Sequence, residues 1–156
     1  MLPDMTETDR TFVLECVGRH FGGEPIVSLG RAYAIEELEF AFSREDDAPA
    51  AFAAHRIEGN ECEIVALVSA VEGRGHGWNV VREVLDKARA KGCRRVWLVA
   101  TNDNLEAIGW YQKRGFAMVQ VHRDSMDRER TMKPQIPLIG LHGIPLRDEI
   151  EFEYVL

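Results

Sequence analysis

The stretch that decides the fold is Val65-Ala66-Leu67-Val68-Ser69-Ala70-Val71-Glu72-Gly73-Arg74-Gly75-His76-Gly77-Trp78. An apolar strand runs into three alternating glycines, and the apolar positions that follow recur at helical spacing. The first N–H groups of a helix have no partner within it, and the helix dipole adds partial positive charge there. Glycine allows close approach of an anion because it carries no Cβ. The pattern therefore predicts a site for a phosphate or pyrophosphate group.

The composition is typical of a globular protein and sets limits on its partners. The chain has 156 residues, of which 46% are apolar and 29% charged, and its formal net charge is -7. This length favours a single domain, taken as residues 1–156. An acidic chain has no general attraction for nucleic acids or anionic membranes. The basic residues between positions 123 and 133 alternate with acidic ones, and we interpret that segment as a solvated loop.

The cysteines and the chain start indicate a location. Cys16, Cys62 and Cys93 are far apart, with neither zinc-site spacing nor a CxxC pair. We expect buried core thiols in a reducing compartment. Residues 1–4 lack the basic start of a secretion signal, and no apolar run reaches the length of a membrane span. The cytoplasm is therefore the expected location.

Hydrophobic periodicity outlines a mixed α/β fold. We expect an N-terminal helix over residues 11–20 and an antiparallel meander of strands, followed by a strand–helix–strand unit, a second helix and a further strand. Crossover helices join parallel strands, so the strands that flank the first crossover should be parallel. The predicted strands are residues 26–29, 40–43, 50–56, 61–69, 95–100 and 116–121, and the predicted later helices are residues 78–91 and 105–113.

The last third of the chain contains a long segment and a final strand. Residues 123–147 are interrupted by prolines and glycines, which predicts an ordered covering loop without regular structure. In the tail, Glu149, Glu151 and Glu153 alternate with apolar residues. This period of two predicts a half-exposed strand that closes the sheet.

Two familiar phosphate-binding motifs do not fit. A dinucleotide fold needs GxGxxG, but Trp78 stands where the last glycine is required, and Val80 stands there in the alternative frame. A P-loop needs Gly-Lys followed by Ser or Thr, and that sequence does not occur.

The order of two other motifs resembles the GCN5-related N-acetyltransferase (GNAT) family. The frame Glu72-Gly73-Arg74-Gly75-His76-Gly77 is similar to the family's phosphate loop, Gln/Arg-x-x-Gly-x-Gly/Ala. One helix and one strand later, Asn104 to Phe116 resembles the family's "Asn, helix, Tyr, then Gly-Phe" element. The resemblance covers most of the chain. It implies a GNAT-like α/β fold, with the meander followed by a βαβ acyl-CoA-binding core that contains a parallel strand pair.

The resemblance also implies an activity, which is direct transfer of an acetyl group from acetyl-CoA to a primary amine in a ternary complex. The pyrophosphate would lie on the N–H groups of residues 73–77, and the pantetheine would run beside the strand that ends at Ser69. In the family this strand splays from the next parallel one, and the thioester enters the gap. The residues implied to bind acetyl-CoA are Val65, Leu67, Val68, Ser69, Glu72, Gly73, Arg74, Gly75, His76, Gly77, Trp78, Asn104 and Tyr111.

One position departs from the family pattern. Glu72 replaces Gln or Arg, and a carboxylate beside a pyrophosphate is repulsive unless it points away. The backbone donors are unaffected, and Arg74 can supply compensating charge, so we expect binding to persist in weakened form. The substitution keeps open a catalytically degenerate acetyl-CoA-binding regulatory module, or a partner-binding module, as the alternative function.

Two residues are candidate catalytic groups. Tyr111 matches the family's tyrosine and would protonate the leaving thiolate; from periodicity alone it is a core aromatic that shares a helix face with Ile108. Glu63 is the candidate base, expected on one strand face with Val65 and Leu67, and it is otherwise a solvated carboxylate at the end of a strand.

The remaining polar candidates are less specific. Asn104 would bind the pantetheine or cap its helix, and His76 is expected to turn its side chain to water. His122 is an alternative base near the expected acceptor site. The other histidines show no ligand spacing, and no metal is assigned. We expect a small-molecule or peptide amine as acceptor, no nucleic-acid or membrane partner, and a monomer or homodimer.

Overall fold

A computed structural model describes residues 5–156 of the protein. Residues 1–4, which carried the expectation about a secretion signal, lie outside the described residues. The helices and strands are α1 (Glu7–Phe21), β1 (Ile26–Ser28), β2 (Arg31–Tyr33), β3 (Glu39–Glu45), β4 (Ala48–Glu58), β5 (Glu61–Ser69), α2 (His76–Ala90), β6 (Arg95–Thr101), α3 (Leu105–Lys113), β7 (Ala117–His122), α4 (Ser125–Met132) and β8 (Glu149–Val155), with short 3-10 turns at Ile35–Glu37 and Leu141–Gly143.

Six strands form one mixed sheet in the order β3-β4-β5-β6-β8-β7. Strands β3, β4 and β5 are the predicted antiparallel meander, and β5 and β6 are the predicted parallel pair. Strand β1 lies outside this sheet, because it pairs with β2 in a small separate hairpin that the sequence did not predict. The mixed α/β fold is confirmed.

Helices cover both faces of the sheet. Helix α2 buries a stripe of Val80, Val81, Val84 and Leu85 in the larger core, against residues of β4, β5, β6 and β8. Helix α1 packs Val13, Cys16 and Val17 against the opposite face, beside β1. Helix α1 begins four residues before the predicted start, because Thr6 and Asp9 form a capping box.

The parallel pairing between β5 and β6 is short. Its registered partners are Glu61 with Arg95, Cys62 with Val96 and Glu63 with Trp97, after which the two strands diverge. The divergence begins beside a β-bulge between β4 and β5, where Ala54 pairs with Ala66 but His55 pairs with Ile64. Residue 65 is thus the extra residue of the bulge.

The bulge overturns one predicted alignment. Because an extra residue reverses the alternation of side chains, Leu67 lies with the α2 core, whereas Val65 and Glu63 lie on the α1 side. The expectation that Glu63 shares a face with Leu67 is therefore wrong.

The prediction for residues 123–147 is wrong in its first part. Residues 125–132 form helix α4, and the prolines at 134 and 137 follow it rather than interrupt it. The helix is mostly polar, so its apolar periodicity is weak. Lys133, expected in a solvated loop, is buried, and its Nζ donates to the carbonyls of Gly23 (2.6 Å) and Pro25 (2.7 Å).

The glutamates of β8 also differ from the prediction. Glu149 and Glu151 are buried rather than exposed. Arg95 donates to Glu151 at 2.8 Å, and His122 Nε2 lies 2.9 Å from the other oxygen of that carboxylate. Burial raises the pKa of Glu151, but Arg95 and His122 outweigh it and hold the pKa below its usual value. Within residues 5–156, no helix has both the length and the apolar character to cross a membrane.

Candidate active site

A cavity of about 680 Å³ occupies the gap between the diverging strands. Residues 64–69 of β5 and 98–101 of β6 form two of its walls. Asn104 and Tyr111 of the α3 segment line it, as do the C-terminal end of α1, residues of α4 and the segment 135–141. Four of the residues predicted to contact the pantetheine, Val65, Leu67, Val68 and Ser69, are therefore on its wall.

The glycine loop has the backbone geometry that an anion site requires. Gly73 and Gly75 have φ of 77° and 78°, and an added Cβ at either would meet no atom within 4 Å. Gly75 is the N-cap of α2, and the first helical hydrogen bond runs from the Asn79 N–H to its carbonyl at 3.0 Å. The N–H groups of residues 76–78 precede that bond and have no intrahelical acceptor. An exposed loop with these free donors fits a phosphate group.

The side chains around the loop follow the sequence prediction only in part. Arg74 pairs with Glu45 at 3.0 Å, and Glu72 is exposed. His76 is buried, and its Nδ1 lies 2.7 Å from Ser43 Oγ. The expectation that His76 turns to water is wrong, because it is the first residue of α2 and packs against β3. Its backbone N–H still belongs to the anion site.

Tyr111 lies at the boundary between the core and the cavity. Its ring packs at 5.6 to 5.9 Å from the rings of Phe152, Trp110 and Phe116, and the residue lines the cavity. Burial raises the pKa of Tyr111 to about 12. Its helix is capped by Asn104, whose Oδ1 accepts from the Ala107 N–H at 3.3 Å while the residue also lines the cavity.

Glu63 is buried behind the cavity wall, with 3% of its surface exposed. Ser28 Oγ donates to one of its carboxylate oxygens at 2.7 Å, and Arg56 Nε donates to the other at 3.2 Å. Burial raises the pKa of Glu63, while Ser28 and Arg56 act in the opposite direction. Ser28 is among the lining residues of the cavity, whereas Glu63 and His122 are not.

Three lining carboxyl groups were missed by sequence reasoning. Asp103, Glu129 and Glu149 reach the cavity from the α3 segment, α4 and β8, and all three are buried. Burial, with the neighbouring charge of Glu129 second, raises the pKa of Glu149 to about 7. No local signal marks these residues, because they are far apart in the sequence and reach the same cavity only through the tertiary fold. Among residues 5–156, no group of three or more potential metal-binding side chains comes together.

Comparison with known proteins identifies the class to which this fold and loop belong. The family model described as "Acetyltransferase (GNAT) family" matches residues 15–116, and the chain belongs to that family. At the level of individual proteins, it is 32% identical over 151 residues to the uncharacterized protein YdhI of Bacillus subtilis, which covers 96% of this chain and 94% of that protein.

Solved structures share the fold at low sequence identity. A GNAT family acetyltransferase from Elizabethkingia anophelis with acetyl-CoA bound has a TM-score of 0.66 at 19% identity, over 78% of each chain. The ribosomal-protein-S18-alanine N-acetyltransferase from Escherichia coli has a TM-score of 0.68 at 15% identity, over 97% of this chain and 90% of that one. These likenesses agree with the mixed sheet and its parallel pair.

Proposed function

We propose that the protein transfers an acetyl group from acetyl-CoA to a primary amine, directly and within a ternary complex. The observation that carries the proposal is the cavity between β5 and β6, whose lining includes Ser69, four residues before Gly73 of the anion loop. Membership of the GNAT family supports an acyltransferase, and the related structure with acetyl-CoA bound supports the donor.

The donor would be held mainly by backbone groups. Its pyrophosphate would accept from the N–H groups of residues 73–78, and its pantetheine would lie along residues 65–69 of β5. That edge of β5 has left its pairing with β6, so its N–H and C=O groups can bind an extended ligand in the manner of an added strand. Acetyl-CoA supplies the thioester, and no metal is required for its transfer.

Tyr111 is our candidate for the group that assists the leaving thiolate. A phenol with a pKa of about 12 is a weaker acid than a thiol, whose usual pKa is about 8.5, so a hydrogen bond is the expected assistance. Tyr111→Phe should lower kcat by about tenfold, the scale of one lost hydrogen bond. It should change acetyl-CoA affinity less, because the ring that lines the cavity is retained. Tyr154→Phe, which alters a tyrosine packed on Phe116 outside the cavity, is the matched control. An unchanged kcat in Tyr111→Phe would leave Tyr111 as a core aromatic only.

We propose that Glu63 can also act as the base, by taking up a proton that passes through the Ser28 hydroxyl. The carboxylate does not line the cavity, so a proton from the acceptor would reach it over the 2.7 Å contact with Ser28 Oγ. A carboxyl group that lines the cavity itself has a shorter path to the proton of the acceptor.

The first experiment is calorimetric titration with acetyl-CoA, with NAD and ATP as controls. Selective binding of acetyl-CoA, followed by thiol release in the presence of primary amines, would support the proposal. No binding by a folded sample would refute it. Binding without turnover of any amine would instead favour the degenerate regulatory or partner-binding module, for which Glu72 in the anion loop is the specific observation. We further propose that residues 1–156 form one cytoplasmic domain, monomeric or homodimeric, with a small-molecule or peptide amine as acceptor.

A further inference from the structure

Two buried carboxyl groups from distant parts of the chain meet at the cavity wall. Glu129 of α4 is 0% exposed and Glu149 at the start of β8 is 3% exposed, and both line the cavity. Glu129 Oε1 accepts from the Gly30 N–H at 2.7 Å, which holds this side chain in place. The remaining oxygen Oε2 of Glu129 and the oxygen Oε1 of Glu149 are buried and have no donor at hydrogen-bonding distance in the part of the chain that the structure describes. The polar groups next to the Glu149 carboxyl are Glu129 itself and the buried hydroxyl of Ser125. Buried carboxylate oxygens without donors indicate a cationic or hydrogen-donating ligand.

The charged groups near the pair act on it weakly or are engaged with other partners. Burial and the charge of Glu129 raise the pKa of Glu149 to about 7, and the opposite effect of Arg128 of α4 is smaller. His122 of β7 is engaged with Glu151, and the Nζ of Lys133 with two carbonyl groups. Asp103 uses one oxygen to accept from the Leu141 N–H at 2.8 Å. Near neutral pH the carboxyl of Glu149 therefore exchanges between its protonated and ionised forms.

The geometry points to a specific role, which we propose for this pair: Glu129 and Glu149 bind the ammonium group of the acceptor, and Glu149 takes its proton. This inference rests on the proposed acetyl transfer. The cavity lining also includes apolar side chains, those of Phe21, Met126, Ile136, Pro137 and Leu146, together with polar ones such as Arg19, His20 and Gln135. The acceptor we propose is therefore a primary amine with an apolar part.

The proposed transfer moves one proton from the acceptor nitrogen to Glu149 and a second to the leaving thiolate. An N–H bond of the ammonium breaks, and its proton forms an O–H bond on the Glu149 carboxylate. The freed lone pair of the amine forms the new C–N bond at the thioester carbonyl, and the C–S bond breaks with its electrons on sulfur. The nitrogen loses a second proton as it becomes the amide, and the thiolate takes up that proton to give the free thiol. Glu149 then releases its own proton to solvent. A carboxylate with a pKa near neutrality is suited to this task at the pH of the cell.

The test measures binding of a charged probe and its neutral counterpart. Titration of n-pentylammonium and of 1-pentanol into the CoA-loaded protein at pH 8 should show a preference of about tenfold or more for the ammonium, the scale of a charge-assisted hydrogen bond. The double variant Glu129→Gln/Glu149→Gln should lose that preference. Glu153→Gln on the same strand, which contacts Arg95 and not the cavity, should retain it. A preference that survives in the double variant, or is absent from the wild type, would overturn the inference.

A pH profile separates the proton acceptor from a merely structural carboxyl group. In wild-type protein, kcat/KM for n-pentylamine should rise with pH through about 7, the pKa of Glu149. In Glu129→Gln the rise should move to lower pH, because the neighbouring charge that raises this pKa is gone. An unmoved profile in this variant, with a profile displaced by Glu63→Gln instead, would assign the proton to the path through Ser28.

The substitutions should allow the protein to fold, because each is nearly isosteric. Acetyl-CoA binding and ammonium preference then test the proposed function and the carboxyl pair separately. A carboxamide has nearly the volume of the carboxyl group that it replaces, so neither substitution leaves a void. If acetyl-CoA does not bind to the wild type, the transferase proposal fails. If acetyl-CoA binds equally well to wild type and double variant while the ammonium preference is unaffected, only the carboxyl pair is misassigned.

Discussion

The substitution Glu149→Gln should change how the stability of the protein depends on pH. Burial and the charge of Glu129 raise the pKa of Glu149 from 4.5 to about 7 in the folded state. Between these values the folded protein binds more protons than the unfolded chain, so the free energy of unfolding falls as the pH rises. The stabilisation from this group is fully present below about pH 4.5 and lost by about pH 7, above which the dependence is flat. A carboxamide does not titrate and removes this contribution.

The magnitude follows from the two pKa values. Each unit of pKa difference corresponds to about 1.4 kcal/mol, so a change from 4.5 to about 7 gives about 3 kcal/mol. Little solvent screening applies, because only 3% of Glu149 is exposed. The difference in unfolding free energy between Glu149→Gln and wild type should therefore move in favour of the variant by about 3 kcal/mol between pH 4.5 and 8.

Urea denaturation of both proteins at a series of pH values measures this difference. Glu153→Gln is the control, since Glu153 lies on the same strand but pairs with Arg95. The reasoning would be refuted by wild-type and Glu149→Gln curves that stay parallel across the range. Such parallel curves would mean that the carboxyl of Glu149 has the same pKa in the folded and unfolded states. Glu149 would then lack the raised pKa on which its role as proton acceptor partly depends.

Two further predictions concern the anion loop and α1. Glu72→Gln should tighten acetyl-CoA binding severalfold at low salt and by less at high salt, because it removes a like charge from an exposed anion site; equal dissociation constants in calorimetry at low salt would contradict this. Gly75→Ala should destabilise the protein by about 1–2 kcal/mol, because Gly75 has a φ of 78° that an alanine rarely adopts. Gly18→Ala should instead stabilise the protein by about 0.5–1 kcal/mol, because Gly18 lies at an exposed site inside α1 where an added Cβ meets nothing within 4 Å. Urea denaturation measures both changes in unfolding free energy, and changes of the same sign would contradict the backbone conformations described for these two glycines.

The local sequence pattern predicted the frame of the fold. The glycines at 73 and 75 sit between β5 and α2 as expected, because positive φ and a helix start are local requirements that glycine satisfies. The crossover rule likewise predicted the parallel pairing of β5 with β6. Strand β1 was predicted, but its partner β2 and the polar helix α4 were missed, since a three-residue strand and a helix with few apolar positions carry little periodic signal.

The features that build the site depend on contacts that no local pattern contains. Strand alternation predicts which residues share a face only while the register is unbroken, and the bulge at residue 65 breaks it next to Glu63. Alternation also says nothing about what covers a polar face. The glutamates of β8 alternate as an exposed strand should, yet Glu149 meets Glu129 of α4 and Glu151 meets Arg95 of β6. Polar residues at every second position of a strand can therefore form either a solvated face or a buried network of charges. In this protein they form a buried network, and Glu149 lies beside Glu129 at the cavity. The sequence does not predict this contact, because α4 is too polar to be recognised as a helix from its sequence.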